Sequence, residues 1–189
     1  MVAEGAHMQG LIGVKKAQLF LESTTFITLP WNVCENQNQT RFLRLDKEIK
    51  HFDLAGYFLG ERRPPLAVEN KAYNHVGSQA EDYTEYLANA YSITARACED
   101  GADDEREFMW LTTHPFAQGK WPRLRSPEEI AAALERHPDA LAGRQIDSDL
   151  LQLVSGRLWL IPLHDRHTEL VLDRSELFKI HETLKRKGF

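Results

Sequence analysis

The sequence predicts an α/β fold, and three observations carry that prediction. Residues 78 to 98 repeat Tyr83, Tyr86, Leu87, Ala90, Ile93 and Ala97 at helical spacing. The runs 51 to 59 and 66 to 71 are short, apolar and rich in strand formers, and Gly60 with Pro64 and Pro65 separates them. Helical and strand-like stretches also follow one another as helix, three strands, helix, strand, which is the order of a layered α/β domain.

Taken in sequence, the first element is a helix over 10 to 22, where Leu11, Val14, Leu19 and Phe20 lie among helix-tolerant polar residues. Met1 to His7 read as an expression remnant, with Met8 the expected native start. Thr40 to Leu45 alternates polar and apolar residues as a first strand. Lys47 to Lys50 supplies a polar turn, His51 to Leu59 is the second strand, and Leu66 to Lys71 the third. Ser78 is the expected N-cap of the long helix, with Glu81 as its capping-box partner. A loop rich in acids around Gly101 then leads to a strand over Phe108 to Thr112, stopped by Pro115. Beyond it come helices at Pro127 to Arg136 and Asp147 to Val154, strands at Leu158 to Leu163 and Thr168 to Leu172, and a last helix from Ser175 to Lys187. The domain reading is a remnant at 1–7, a core at 8–116, and an α+β extension at 117–189 packed on the same domain.

Length and composition restrict the function. A chain of 189 residues that is 42% hydrophobic buries one real core. No apolar run approaches the roughly 18 residues of a membrane span, and no signal segment opens the chain, so a cytoplasmic protein without a membrane partner is expected. Cys34 and Cys98 are the only cysteines, which excludes a four-thiolate cluster and leaves two free thiols expected to be buried. A net charge of -5 argues against nonspecific coating of nucleic acid, because that affinity comes from basic side chains neutralising phosphates. Positive charge is local instead, at Arg41, Arg44, Lys47 and Lys50, at Arg62 and Arg63, and at Lys120, Arg123 and Arg125.

An acid two residues before a lysine occurs twice. Glu48-Ile49-Lys50 sits in the expected turn with no aspartate in the ten to twenty residues before it. Glu69-Asn70-Lys71 ends the apolar run Leu66-Ala67-Val68, and Asp53 lies sixteen residues upstream in another apolar run. On a strand, Glu69 and Lys71 share a face while Asn70 turns away. With Asp53 on the neighbouring strand, two carboxylates and an ammonium converge. Two carboxylates and a carbonyl oxygen suit a partly hydrated Mg²⁺, which can bridge a phosphate and activate water. The lysine can orient that water or offset charge growing on the phosphate oxygens.

These residues, their spacing and the element order resemble the PD-(D/E)xK nuclease superfamily. Gln79 and Tyr83 reproduce the Gln-x-x-x-Tyr motif of its RecB-like branch, one turn apart on one helix face. The resemblance spans about residues 10 to 113. It implies a restriction-endonuclease-like core, and catalysis by Asp53, Glu69 and Lys71 with Gln79 and Tyr83. It further implies Mg²⁺ or Mn²⁺ held by Asp53, Glu69 and Asn70, with no iron-sulfur cluster. Gln79 and Tyr83 then brace the site or touch the nucleic acid backbone, while Arg62 and Arg63, on the loop entering the catalytic strand, are placed to meet phosphates. Glu22, at the end of the first helix, stands where some branches carry a further acid.

Other clusters have simpler readings. His164-Asp165-Arg166-His167 reads as a polar hairpin turn rather than a metal site, and His114 as a structural histidine near the rim of the site. No glycine-rich phosphate loop is present, which removes a nucleotide-hydrolysing class. The expected activity is metal-dependent hydrolysis of phosphodiester bonds, DNA before RNA, in a prokaryotic or phage DNA-processing or defence system. The alternative is a non-catalytic module of the same fold that binds nucleic acid or a partner protein. A homodimer or a larger ATPase, helicase or effector partner is expected to supply the affinity that the net charge denies the isolated chain.

Overall fold

The computed structural model describes residues 2–72 and 77–185, with the side chains of residues 2–9 left undescribed. A mixed five-stranded sheet forms the centre, in the order β1 (Ile27–Asn32), β4 (Leu54–Phe58), β5 (Pro65–Lys71), β6 (Glu107–Thr112) and β7 (Leu158–Pro162). β1 runs antiparallel to β4 and β4 to β5, whereas β5, β6 and β7 are parallel. A separate hairpin of β2 (Arg41–Leu43) and β3 (Ile49–His51) is inserted between β1 and β4. The chain is therefore α/β, as its pattern predicts.

Alternation along the strands divides the core into two layers. Leu66, Val68, Met109 and Leu111 pack with Val14, Ala17 and Leu21 of helix α1 (Val2–Ser23) on one face. Ala67, Phe108 and Trp110 pack with Tyr83, Tyr86 and Ala90 of helix α2 (Gln79–Glu99) on the other. Helices α3 (Pro127–Arg136) and α4 (Ser148–Gly156) cover the far side of α2 and join that second cluster through Ile130, Leu134 and Val154. This explains why α2 is buried nearly all round while α3 keeps one polar side. Each fully buried apolar side chain contributes roughly 1.5–3 kcal/mol. Ser126 accepts from the Glu129 amide and Pro127 occupies the first turn, so α3 starts where its sequence signals place it.

Several boundaries differ from expectation. The first strand of the sheet is Ile27–Asn32, not Thr40 to Leu45, which folds into the side hairpin. Pro30 argues against a central strand, and β1 is an edge strand whose register shifts between Thr28 and Trp31. Gly56 allows β1 to lie this close, because a Cβ there would meet the Thr28 carbonyl oxygen at 1.9 Å. The expected strand His51 to Leu59 divides into the end of β3 and β4, with Asp53 between them. The expected turn from Lys47 to Lys50 is shorter, since Ile49 and Lys50 already pair in β3.

Ser78 precedes α2 without capping it; its hydroxyl reaches Asp82 at 3.2 Å. Thr168 to Leu172 is not a strand. His164 and His167 form a reciprocal cap that winds Asp165–Leu170 into a 3-10 helix. The last helix, α5, spans Arg174–Leu184, and the expected continuation to Lys187 lies partly outside the described residues. The first helix begins at Val2 rather than residue 10. Both cysteines are exposed, because Cys34 follows the edge strand and Cys98 lies at the solvated end of α2. Among the described residues no helix is long and apolar enough to cross a membrane.

Candidate active site

The pairing of Leu54 with Val68 brings the next positions, Asp53 and Glu69, opposite each other on the α2 face of the sheet. The Asn70 main-chain N–H donates to Asp53 Oδ2 at 2.8 Å, and the Val33 N–H donates to the Asp53 carbonyl at 2.9 Å. Asp53 is thus tied to both neighbouring strands. Glu69 is only 6% exposed. The Lys71 ammonium, on the same face of the same strand, stands 3.1 Å from Glu69 Oε1. Lys71 also lies over the Trp110 ring, 5.7 Å from its centroid. The structure brings Asp53, Glu69 and Lys71 together, with Asn70 turned to the opposite face as alternation requires.

Burial, and after it the charge of Glu69, pushes the Asp53 carboxyl up to about 6, against the Asn70 amide and the Lys71 and Lys50 charges. A buried acid whose ionisation is opposed by a second acid beside it is a site with room for added positive charge. Glu69 Oε2 is buried and accepts no hydrogen bond, which leaves one carboxylate oxygen without a directed partner. Among the described residues no group of three or more His, Cys, Asp or Glu is placed to hold a metal. The donors brought together, two carboxylates, are hard oxygen ligands that fit a partly hydrated Mg²⁺ or Mn²⁺ better than zinc.

Gln79 and Tyr83 lie behind this site rather than in front of it. Gln79 is fully buried and accepts the Thr112 hydroxyl at 2.5 Å, and Thr112 is the register partner of Lys71 in the parallel β5–β6 pair. Tyr83 donates to the Leu124 carbonyl at 3.1 Å and meets the Trp110 ring edge-on at 5.2 Å between centroids. Burial raises its phenol well above the ordinary value, so it stays neutral. Both residues are therefore braces under Lys71 and the end of β6. Both side chains are buried, Gln79 at 0% and Tyr83 at 2% exposure.

Arg62 and Arg63 do not flank the carboxylates. They sit on the β4–β5 connection beside Pro65, while Glu69 lies four residues further along β5, roughly 13 Å away. There Arg62 pairs with Glu105 at 2.9 Å, and Arg63 lies over Tyr57 at 4.6 Å. Glu22 is also remote: it is on the α1 side of the sheet, where its carboxylate accepts the Leu29 N–H at 2.9 Å.

Sequence reasoning missed Lys50. From β3 its ammonium reaches 3.3 Å from both oxygens of Glu69 and lies over the Phe52 ring. The hairpin points Phe42 and Lys50 inward and leaves Arg41, Leu43, Ile49 and His51 exposed. A lysine at the inward position of a short strand has no local signature. Thr112 was missed for the same reason. His114 stands on the opposite, α1 side, where it lines a cavity of about 640 Å³ with Lys16, Asn70, His164 and Thr168.

No family model matches the chain, and no curated protein or solved structure does so either.

Proposed function

We propose that this protein is a metal-dependent nuclease with the restriction-endonuclease-like arrangement of the PD-(D/E)xK superfamily, hydrolysing phosphodiester bonds with DNA as the favoured substrate. The observation that carries the reading is the convergence of Asp53, Glu69 and Lys71 on one sheet face, with Asp53 fastened to the Asn70 amide. The order of α1, the strands β1, β4 and β5, helix α2 and then β6 supports it as well.

Asp53 and Glu69 would hold Mg²⁺ or Mn²⁺, with the Asn70 carbonyl as a neutral third donor. Such an ion supplies an activated water and charge neutralisation at the scissile phosphate. Lys71, held over Trp110, is the general electrostatic partner that orients the attacking water or meets charge developing on phosphate oxygens. Gln79 and Tyr83 keep the end of β6 and the Trp110 floor in place beneath it. The proposed setting is DNA processing or defence, and the net charge of -5 supports a partner subunit or second copy that supplies affinity.

Cleavage of single-stranded DNA, duplex DNA and RNA, titrated with Mg²⁺ and Mn²⁺ beside Lys71→Ala, tests this reading. The expected result is metal-dependent cleavage of DNA that Lys71→Ala abolishes. Binding of nucleic acid with no cleavage at any metal concentration would instead identify a non-catalytic module of the same fold.

A further inference from the structure

Glu69 is a buried carboxylate with two ammonium groups on it, and the two are differently mounted. Lys71 belongs to the same strand and meets Oε1 at 3.1 Å. Lys50 belongs to the side hairpin and stands 3.3 Å from both oxygens, including Oε2, which has no hydrogen bond. A buried carboxylate oxygen left without compensation is costly. In the metal-free protein that compensation at Oε2 is the Lys50 charge. The ammonium also lies over the Phe52 ring, 5.6 Å from its centroid, and the side chain keeps 22% exposure, so the ammonium has a path to solvent.

We propose that Lys50 is a built-in stand-in for the divalent cation: it neutralises Glu69 while the site is empty of metal and must withdraw when a cation binds between Glu69 and Asp53. This inference rests on the metal-site reading above. An ammonium 3.3 Å from both oxygens of Glu69 stands where a cation on the same carboxylate would have to come, and at such range it repels a dication strongly in a partly buried setting. Loading is therefore an exchange of one cation for another rather than an addition. Lys71 is mounted differently, on the same strand as Glu69, with its ammonium on Oε1 and over the Trp110 ring. The released Lys50 ammonium stays on its hairpin at the mouth of the site, where phosphate oxygens provide its next partner.

The experiment is calorimetric titration of the full chain with MnCl₂, without nucleic acid, for the unaltered protein, Lys50→Met, Lys50→Arg and Glu69→Gln. Met keeps an unbranched apolar side chain of similar length and removes the charge. Lys50→Met is expected to bind Mn²⁺ about ten-fold more tightly, Lys50→Arg to bind as the unaltered protein does, and Glu69→Gln to lose binding. Equal affinity of Lys50→Met and the unaltered protein, with Glu69→Gln still dead, overturns the stand-in role and leaves the metal site. Equal tightening by Lys50→Arg also overturns it, since charge is then not the cause. Mn²⁺ binding that ignores Glu69→Gln, or that is absent from every protein, removes the metal site itself and the inference with it.

Discussion

The two ends of the β4–β5 pair carry similar numbers of charges and use them differently. At one end Asp53, Glu69, Lys50 and Lys71 crowd together with Glu69 only 6% exposed, and the Asp53 carboxyl is pushed up to about 6. At the other, Arg62 and Glu105 form an ion pair whose side chains are 80% and 58% exposed. Water screens the second set, so it stores little energy. Burial denies that screening to the first set, whose charges must balance one another locally. The lesson is that acid and base types do not make a reactive cluster; their removal from water does.

Three measurements break or sharpen that contrast. The largest expected effect is on cleavage: Asp53→Ala and Glu69→Gln should each reduce metal-dependent hydrolysis by about a thousand-fold or more, whereas Glu48→Ala, on the exposed turn of the hairpin, should leave the rate unchanged. Equal losses in all three would show that the buried cluster has no privileged role.

The second effect is on stability. The folded protein holds the Asp53 proton more tightly than the unfolded chain does, so ionising Asp53 weakens the metal-free fold. Stability should rise as pH falls from about 6 toward the ordinary carboxylate value of 3.8. Asp53→Asn should accordingly raise Tm at pH 7.5 by roughly 2–4 °C in the presence of a chelator, and the gain should vanish near pH 4. Thermal melts across that range read the sign directly; a lowered Tm at pH 7.5 would mean that the lysines more than compensate the carboxylate.

The smallest effect belongs to the far end. Arg62→Ala and Arg63→Ala should change stability by about 0.5 kcal/mol or less and alter cleavage less than two-fold. A ten-fold loss of cleavage in either would place substrate along the whole length of β5 and erase the distinction between the ends.

Much of the fold was legible because its signals are local. Helices α2 and α3 announce themselves by spacing and by Ser126-Pro127, and β5 and β6 by short apolar runs between breakers. The same-face placement of Glu69 and Lys71 needs nothing beyond the two-residue repeat of a strand. What only tertiary structure decided is which segments meet. β1, with Pro30 inside it, is a strand because the edge position beside β4 tolerates a proline, and Gly56 admits its backbone. Thr168 to Leu172, more strand-like in pattern, has no strand partner among the described residues, and the histidine cap winds the chain through Leu170 into a 3-10 helix. Tyr83 reads equally as a site residue or as core until Leu124 and Trp110 are seen against it. Lys50 reaches Glu69 from nineteen residues away by way of a hairpin outside the main sheet. Sequence determines local conformation through short-range sterics and periodicity, whereas burial and charge pairing depend on neighbours brought in from afar, and those contacts make the site.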